Sequence, residues 1–178
     1  MAEIVQLAQY REKSALRDGF HLLRSRFDQD FDACTHFSDL APKVLYQLAL
    51  PNDSSMQLLC GMILGFLGFG AAATFDAMDS SVQKEVVDLH LFVSDQIRFE
   101  MMYRLGWLGN VPGRQLSIYA MVRDSGYAQR LCRHNPPRLS SDHPDFHSYH
   151  ALIERDRQVF IRRLMPAALE AFQKAYGL

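Results

Sequence analysis

Apolar residues recur at steps of three and four along most of this chain, and nowhere do they alternate with polar ones in the sustained manner of a strand. Over residues 9–34, Leu16, Phe20, Leu23, Phe27 and Phe31 fall on one side while Arg, Lys and Asp fill the other, which predicts one amphipathic helix. Pro42 suits the first turn of a short second helix, where a missing N–H costs nothing; Ser38 or Asp39 can cap it, and Pro51 ends it. Asn52, Asp53, Ser54 and Ser55 then offer caps for the most apolar stretch, residues 56–78, which reads as one long helix. A fourth helix begins at Asp79 or Ser80 and extends to about Leu105, with Val82, Val86, Leu89, Val93 and Ile97 inward and Val87, Leu91 and Phe92 widening the apolar surface. A very short Asp/Ser connection makes it an αα-hairpin with the preceding helix.

Gly106, Gly109, Pro112 and Gly113 mark a break, after which shorter helices are expected over 115–123 and 127–134. The stretch 135–144, with two adjacent prolines, reads as loop. A last long helix is expected from Asp145 to about Leu164, with a kink or restart at Pro166. The fold class is therefore all-α: a single domain over 1–178, a bundle of about four long helices with two or three short ones, arranged around a glycine-striped central apolar helix.

That stripe is the most unusual part of the pattern. Gly61, Gly65, Gly68 and Ala72 stand at i, i+4, i+7 and i+11, which gathers them on one helix face almost without side chains. Each interior glycine costs roughly 1 kcal/mol relative to alanine. Something must offset that cost, and a second backbone or a flat ligand pressed on the bare face would do so. The face can therefore serve a close crossing within the bundle or an interface across a two-fold dimer.

Composition narrows the classes of function. An apolar fraction of 48% and a charged fraction of 22% are ordinary for a globular protein, and 178 residues can bury a full core without disulfides or a structural metal. A net charge of −1, with no basic stripe, gives no reason to expect nucleic acid. The uncharged run 58–75 is at the short edge of a membrane span, but acids flank it at Asp53, Asp76 and Asp79 with no Lys, Arg, Trp or Tyr at either end, so no span is expected. The start MAEIVQLAQYREK lacks the basic opening and apolar run of a signal peptide, and Cys34, Cys60 and Cys132 form no C-x-x-C, so a bacterial-style cytoplasmic location is expected.

Several groups of residues carry possible chemistry. His143, His147, His150 and Glu154 share one face if the last helix starts one turn early, and imidazoles with a carboxylate are ligands for Zn, Fe or Mn. The plainer reading is a solvated polar face, since no H-E-x-x-H completes the set. His90, in VVDLHLFV, reads as a core histidine satisfied by hydrogen bonding, with a ligand or catalytic role as the rarer case. Asp88, Asp95 and Glu100 share its helix but not one face, and the Glu-x-x-His pairs of a di-iron bundle are absent. Asp28, Asp30, Asp32 and Asp39 imitate the spacing of an EF-hand loop, yet Ala33 stands where glycine is needed and Asp39 where a bidentate glutamate belongs. The run GFLGFG follows no strand and lacks the lysine of a phosphate loop.

Two expectations of function follow. In the first, the protein is a non-enzymatic interaction, adaptor or regulatory protein, a homodimer that uses the stripe Gly61, Gly65, Gly68 and Ala72 and can also take a protein partner. In the second, the bundle core holds a small ligand or metal, with Met62, Phe66, Phe69 and Phe92 lining the ligand and the His/Glu cluster supplying polar chemistry. No particular cofactor is indicated.

Overall fold

Caps and local packing decide where the helices start and stop. In the computed structural model, which describes residues 2–178 and side chains from residue 6 onward, two helices, α1 (Ala2–Gly19) and α2 (His21–Arg26), replace the expected helix over 9–34. The register breaks at Phe20, whose ring turns fully inward to stack on Phe31 at 5.2 Å and meet Phe66 edge-on at 4.9 Å. Beyond Phe27 the chain is irregular. Asp32 Oδ1 there accepts from the Cys34 N–H and the Thr35 hydroxyl, and Asp39 accepts from the His36 N–H at 2.7 Å. Those carboxylates are spent on turns, and Asp39 caps a 3-10 turn at Phe37–Asp39 instead of the next helix. Helix α3 (Pro42–Ala49) does begin on its proline and stop short of Pro51.

Helix α4 (Asp53–Phe66) is capped by Asn52, whose Oδ1 accepts the Ser55 N–H at 2.9 Å. It ends twelve residues short of the expected 56–78 helix because Gly68 is its stop signal. Gly68 adopts φ +90°, and the Gly68 and Phe69 N–H groups return to the carbonyls of Gly65 and Leu64 at 3.1 and 3.0 Å. This pair of bonds satisfies the orphan carbonyls of the last turn. Ala72 thus lies outside any helix, and the link to α5 (Ser80–Arg104) occupies residues 67–79 rather than a tight Asp/Ser turn. Helix α5 ends in the same way on Gly106 at φ +74°.

The C-terminal half departs further from the periodicity. Short helices α6 (Ile118–Arg123) and α7 (Ser125–His134) form where expected. The loop after α7 contains β2 (Arg138–Leu139), which pairs antiparallel with β1 (Leu108–Asn110) and sets Leu139 opposite Leu108. Two strands this short leave no alternation to read in the sequence. The expected last helix is divided into α8 (Phe146–His150) and α9 (Glu154–Tyr176), and α9 runs through Pro166 without a break. The turn at 151–153 lets buried Tyr149 fold back to 6.0 Å from the Phe160 ring, while Arg157 Nη2 donates to the His150 carbonyl at 2.6 Å.

The whole is all-α, 70% helical, with α4 and α5 at its centre. One apolar cluster joins α2, α3, α4, the first part of α5 and α6, and includes Leu23, Leu45, Met62 and Ile97. A second joins the end of α5 to the ribbon, α8 and α9 through Phe99, Met102, Leu108, Tyr149 and Ile161. At the junction lies Glu100, 1% exposed, with one carboxylate oxygen 2.9 Å from Arg104 Nε and the other 2.7 Å from Arg114 Nε. Arg104 also donates to the carbonyls of Phe37, Ser38 and Leu40, and the Arg114 guanidinium lies 4.0 Å from the Tyr103 ring. This cluster ties residues 37–40 and 112–115 to α5. Among the described residues no helix is long and apolar enough to cross a membrane.

Candidate functional site

The glycine face is occupied from within the chain. Helix α1 crosses α4 so closely that a Cβ on Gly65 would lie 2.5 Å from the Gly19 Cα and the Asp18 carbonyl carbon. A Cβ on Gly61 would come within 2.5 Å of Leu22 Cδ1, and one on Gly19 within 2.8 Å of Phe66 Cγ. Backbone contact of this kind is what offsets the helix cost of Gly65. Gly68 and Ala72 do not share that face, since they lie past the helix end and are exposed.

The residues expected to line a core ligand are likewise dispersed. Met62 and Phe66 are fully buried in close-packed surroundings, with Phe66 edge-on to Phe20 and Tyr119. Phe69 is 46% exposed beyond the end of α4, and Phe92 lies on the far side of α5. The metal candidates are also separated. His143 precedes α8, is buried against Trp107 at 5.2 Å, and accepts the Asp145 N–H on Nδ1 at 3.2 Å. His147 and His150 are exposed on α8, and Glu154, across the turn, accepts from Gln158 at 3.2 Å. Among the described residues no three His, Cys, Asp or Glu side chains are grouped so as to hold a metal ion.

What the fold does create is an open cleft of about 590 Å³ where α5, α7, α9 and the 136–137 turn meet. One wall comes from α5, on which Asp88, Leu91, Phe92, Asp95 and Phe99 follow one another at helical spacing. Asp88 and Asp95 therefore share a face, while Glu100 turns inward to its two arginines, so the three acids do not lie on one face, as the sequence reading has it. The opposite wall comes from α9 through Glu154, Arg155, Gln158 and Arg162, and from α7 through Gln129, Cys132 and Arg133. Asp95 and Arg162 close one end with an ion pair at 3.0 Å.

The cleft is apolar along its floor, with Asp88 and Asp95 on the α5 side and Arg155 and Arg162, beside Glu154, on the α9 side. Leu91 stands 60% exposed between Phe92 and the exposed acid Asp88, and Val159, 43% exposed, belongs to the α9 face that carries Arg155 and Arg162. Buried Gln96 lies beneath, held against Gly113, where a Cβ would come 3.0 Å from the amide carbon. Burial pushes the Cys132 thiol pKa up, so at neutral pH it is a weak nucleophile. These groups can bind a surface of matching shape and charge. The periodicity makes Leu91 part of a widened apolar surface on α5 and shows no basic stripe; the readable signal was Asp88-Leu91-Phe92-Asp95 opposite Arg155-Gln158-Val159-Arg162, two equal helical spacings of opposite sign. No family model matches the chain, and neither the curated proteins nor the solved structures yield a match.

Proposed function

We propose that this is a self-associating interaction protein, and that a second copy docks on the α5/α7/α9 cleft. The observation that carries the reading is Leu91, a large exposed aliphatic side chain on the α5 wall beside Asp88, facing a wall of α9 that carries Arg155 and Arg162. Such a face is complementary to itself. A two-fold axis passing near Leu91 brings Asp88 of each copy toward Arg155 of the other and buries Leu91, Val159 and the cleft floor in isologous fashion. The apolar residues supply affinity, and the charges fix the register. This differs from a dimer through the glycine face, which α1 already covers. The three cysteines are free, as suits the reducing cytoplasm in which such a protein would work.

Sedimentation equilibrium over micromolar concentrations tests it. The wild-type chain should dimerise, and Leu91→Asp should weaken dimerisation by about tenfold or more, roughly 1.4 kcal/mol. Asp88→Arg and Arg155→Asp should each weaken it, while the two together restore it. A chain that stays monomeric throughout, or a double variant no better than either single one, would refute the proposal.

A further inference from the structure

A second cavity lies on the other side of Leu91, where the elbow between α3 and α4 packs over α5. It measures about 250 Å³, below the roughly 300–1,000 Å³ of sites for drug-sized molecules. Its floor is a row on one face of α5, His90, Ser94 and Arg98 at i, i+4 and i+8. Its walls are aliphatic, chiefly Leu48, Leu59 and Met56.

The three polar groups have different amounts of binding capacity to spare. Ser94 is 4% exposed, and among the described residues its hydroxyl has no hydrogen-bond partner. Arg98 uses Nε on the Ala49 carbonyl at 3.2 Å, and among the described residues its two Nη groups have no acceptor. Ser55, by contrast, is already committed to the Gln47 carbonyl. Burial first, and the Arg98 charge second, hold the His90 imidazole below its ordinary pKa, so at neutral pH it adds a neutral ring. Asp53, the acid at the mouth, is exposed.

A half-buried guanidinium with free donors, a buried hydroxyl without a partner and an aliphatic enclosure define an amphiphilic anion. The fork of an arginine matches carboxylate and phosphate alike, and the single cation here balances the single charge of a carboxylate. We infer that this cavity binds a short-chain aliphatic monocarboxylate, its carboxylate on Arg98 and Ser94 and its chain against Leu48, Leu59 and Met56. The inference does not rest on self-association: Leu91 borders both cavities, but Ser94 and Arg98, which would hold the carboxylate, do not line the α5/α7/α9 cleft.

Titration of the intact protein with sodium hexanoate, followed by calorimetry and amide chemical shifts, tests it, with hexanol and inorganic phosphate as controls. Hexanoate should bind saturably with shifts centred on residues 48–59 and 90–98, and neither control should compete. Arg98→Gln should lose at least tenfold in affinity and Ser94→Ala several-fold. Since Arg98 also braces Ala49, Met56→Trp serves as a second variant: it alters only the exposed rim and should block entry in a folded protein. The assignment is overturned if hexanoate fails to bind, if phosphate or hexanol binds equally well, or if the Met56→Trp protein binds hexanoate as the wild type does. The Asp88→Arg protein, in which dimerisation is weakened, should bind hexanoate normally, which keeps failure of this site distinct from failure of the dimer.

Discussion

Two helix contacts in this molecule are built on opposite principles. Where α1 crosses α4, Gly19 meets Gly65 and two backbones touch, which leaves no room for a third group at that point. Where α5 approaches α7 and α9, a cleft of about 590 Å³ remains, lined by long charged side chains and the Pro136-Pro137 turn. The first contact is sealed by the absence of side chains; the second is an open gap bridged at one end by Asp95 and Arg162. The difference teaches where to look for a partner. A bare helix face, conspicuous in sequence, is best consumed inside the fold, whereas the surface left for another molecule is the one whose side chains have no neighbour.

The largest effect is expected at the buried ion cluster on α5, the helix that forms one wall of the open side. Among the described residues Glu100 pairs with both Arg104 and Arg114, and through them pins residues 37–40 and 112–115 to α5. Taking one partner out of a buried ionic cluster leaves uncompensated charge, at a cost of about 3–5 kcal/mol. Glu100→Ala should therefore lower the unfolding free energy, measured in urea, by roughly that amount, and Glu100→Gln by less because its shape and one hydrogen bond survive. A Glu100→Ala protein within about 1 kcal/mol of wild type would mean that residues 37–40 and 112–115 hold to α5 without this ion cluster.

The closed side is sharpened by the same substitution made at two glycines one turn apart. At Gly65 a methyl group meets only backbone, of Asp18 and Gly19, which cannot rotate away. Overpacking of a tight contact costs about 1–3 kcal/mol, and Gly65→Ala should fall at the upper end despite alanine's better helix propensity. At Gly61 the methyl meets the tip of Leu22, which can turn aside, so the gain of up to about 1 kcal/mol in propensity should leave Gly61→Ala neutral or slightly stabilised. A urea midpoint that rises for Gly65→Ala as for Gly61→Ala would show that the crossing is not as close at Gly65 as the backbone contact implies.

How much of this was legible depends on which residues are asked. The periodicity of α5, the Asn52 cap and the proline start of α3 rest on local rules and were plain in the sequence. Gly68 was misread because a glycine in helical spacing and a glycine that ends a helix are the same letter; only φ +90° separates them. The proposed metal face failed as a grouping at 151–153, where tertiary packing of Tyr149 on Phe160 overrides an unbroken helical pattern. The cleft was invisible because it belongs to no single segment. Its acidic and basic walls come from α5 and α9, which no local pattern places side by side.

The smallest effect concerns the border between the two regions, where His90 sits on α5. Its imidazole has an ordinary pKa near 6.5, lowered in the fold by burial and then by Arg98. Above about 6.5 the ring is neutral in both the folded and the unfolded chain, so it contributes no pH dependence. As the pH falls through that value the unfolded chain takes up a proton that the folded one resists, and stability declines until the lower, folded pKa is passed. His90→Gln, which cannot take that proton, should lose less stability than wild type between about pH 7 and pH 5.5, with the two curves running parallel above that window. The ring is only half-buried, so the divergence should be slight, and thermal melts at closely spaced pH values are the measurement to make. Parallel curves throughout would place His90 in water and Arg98 out of its reach. The row His90, Ser94 and Arg98 would then no longer act as one wall, which ties this small titration to the carboxylate cavity rather than to either helix crossing.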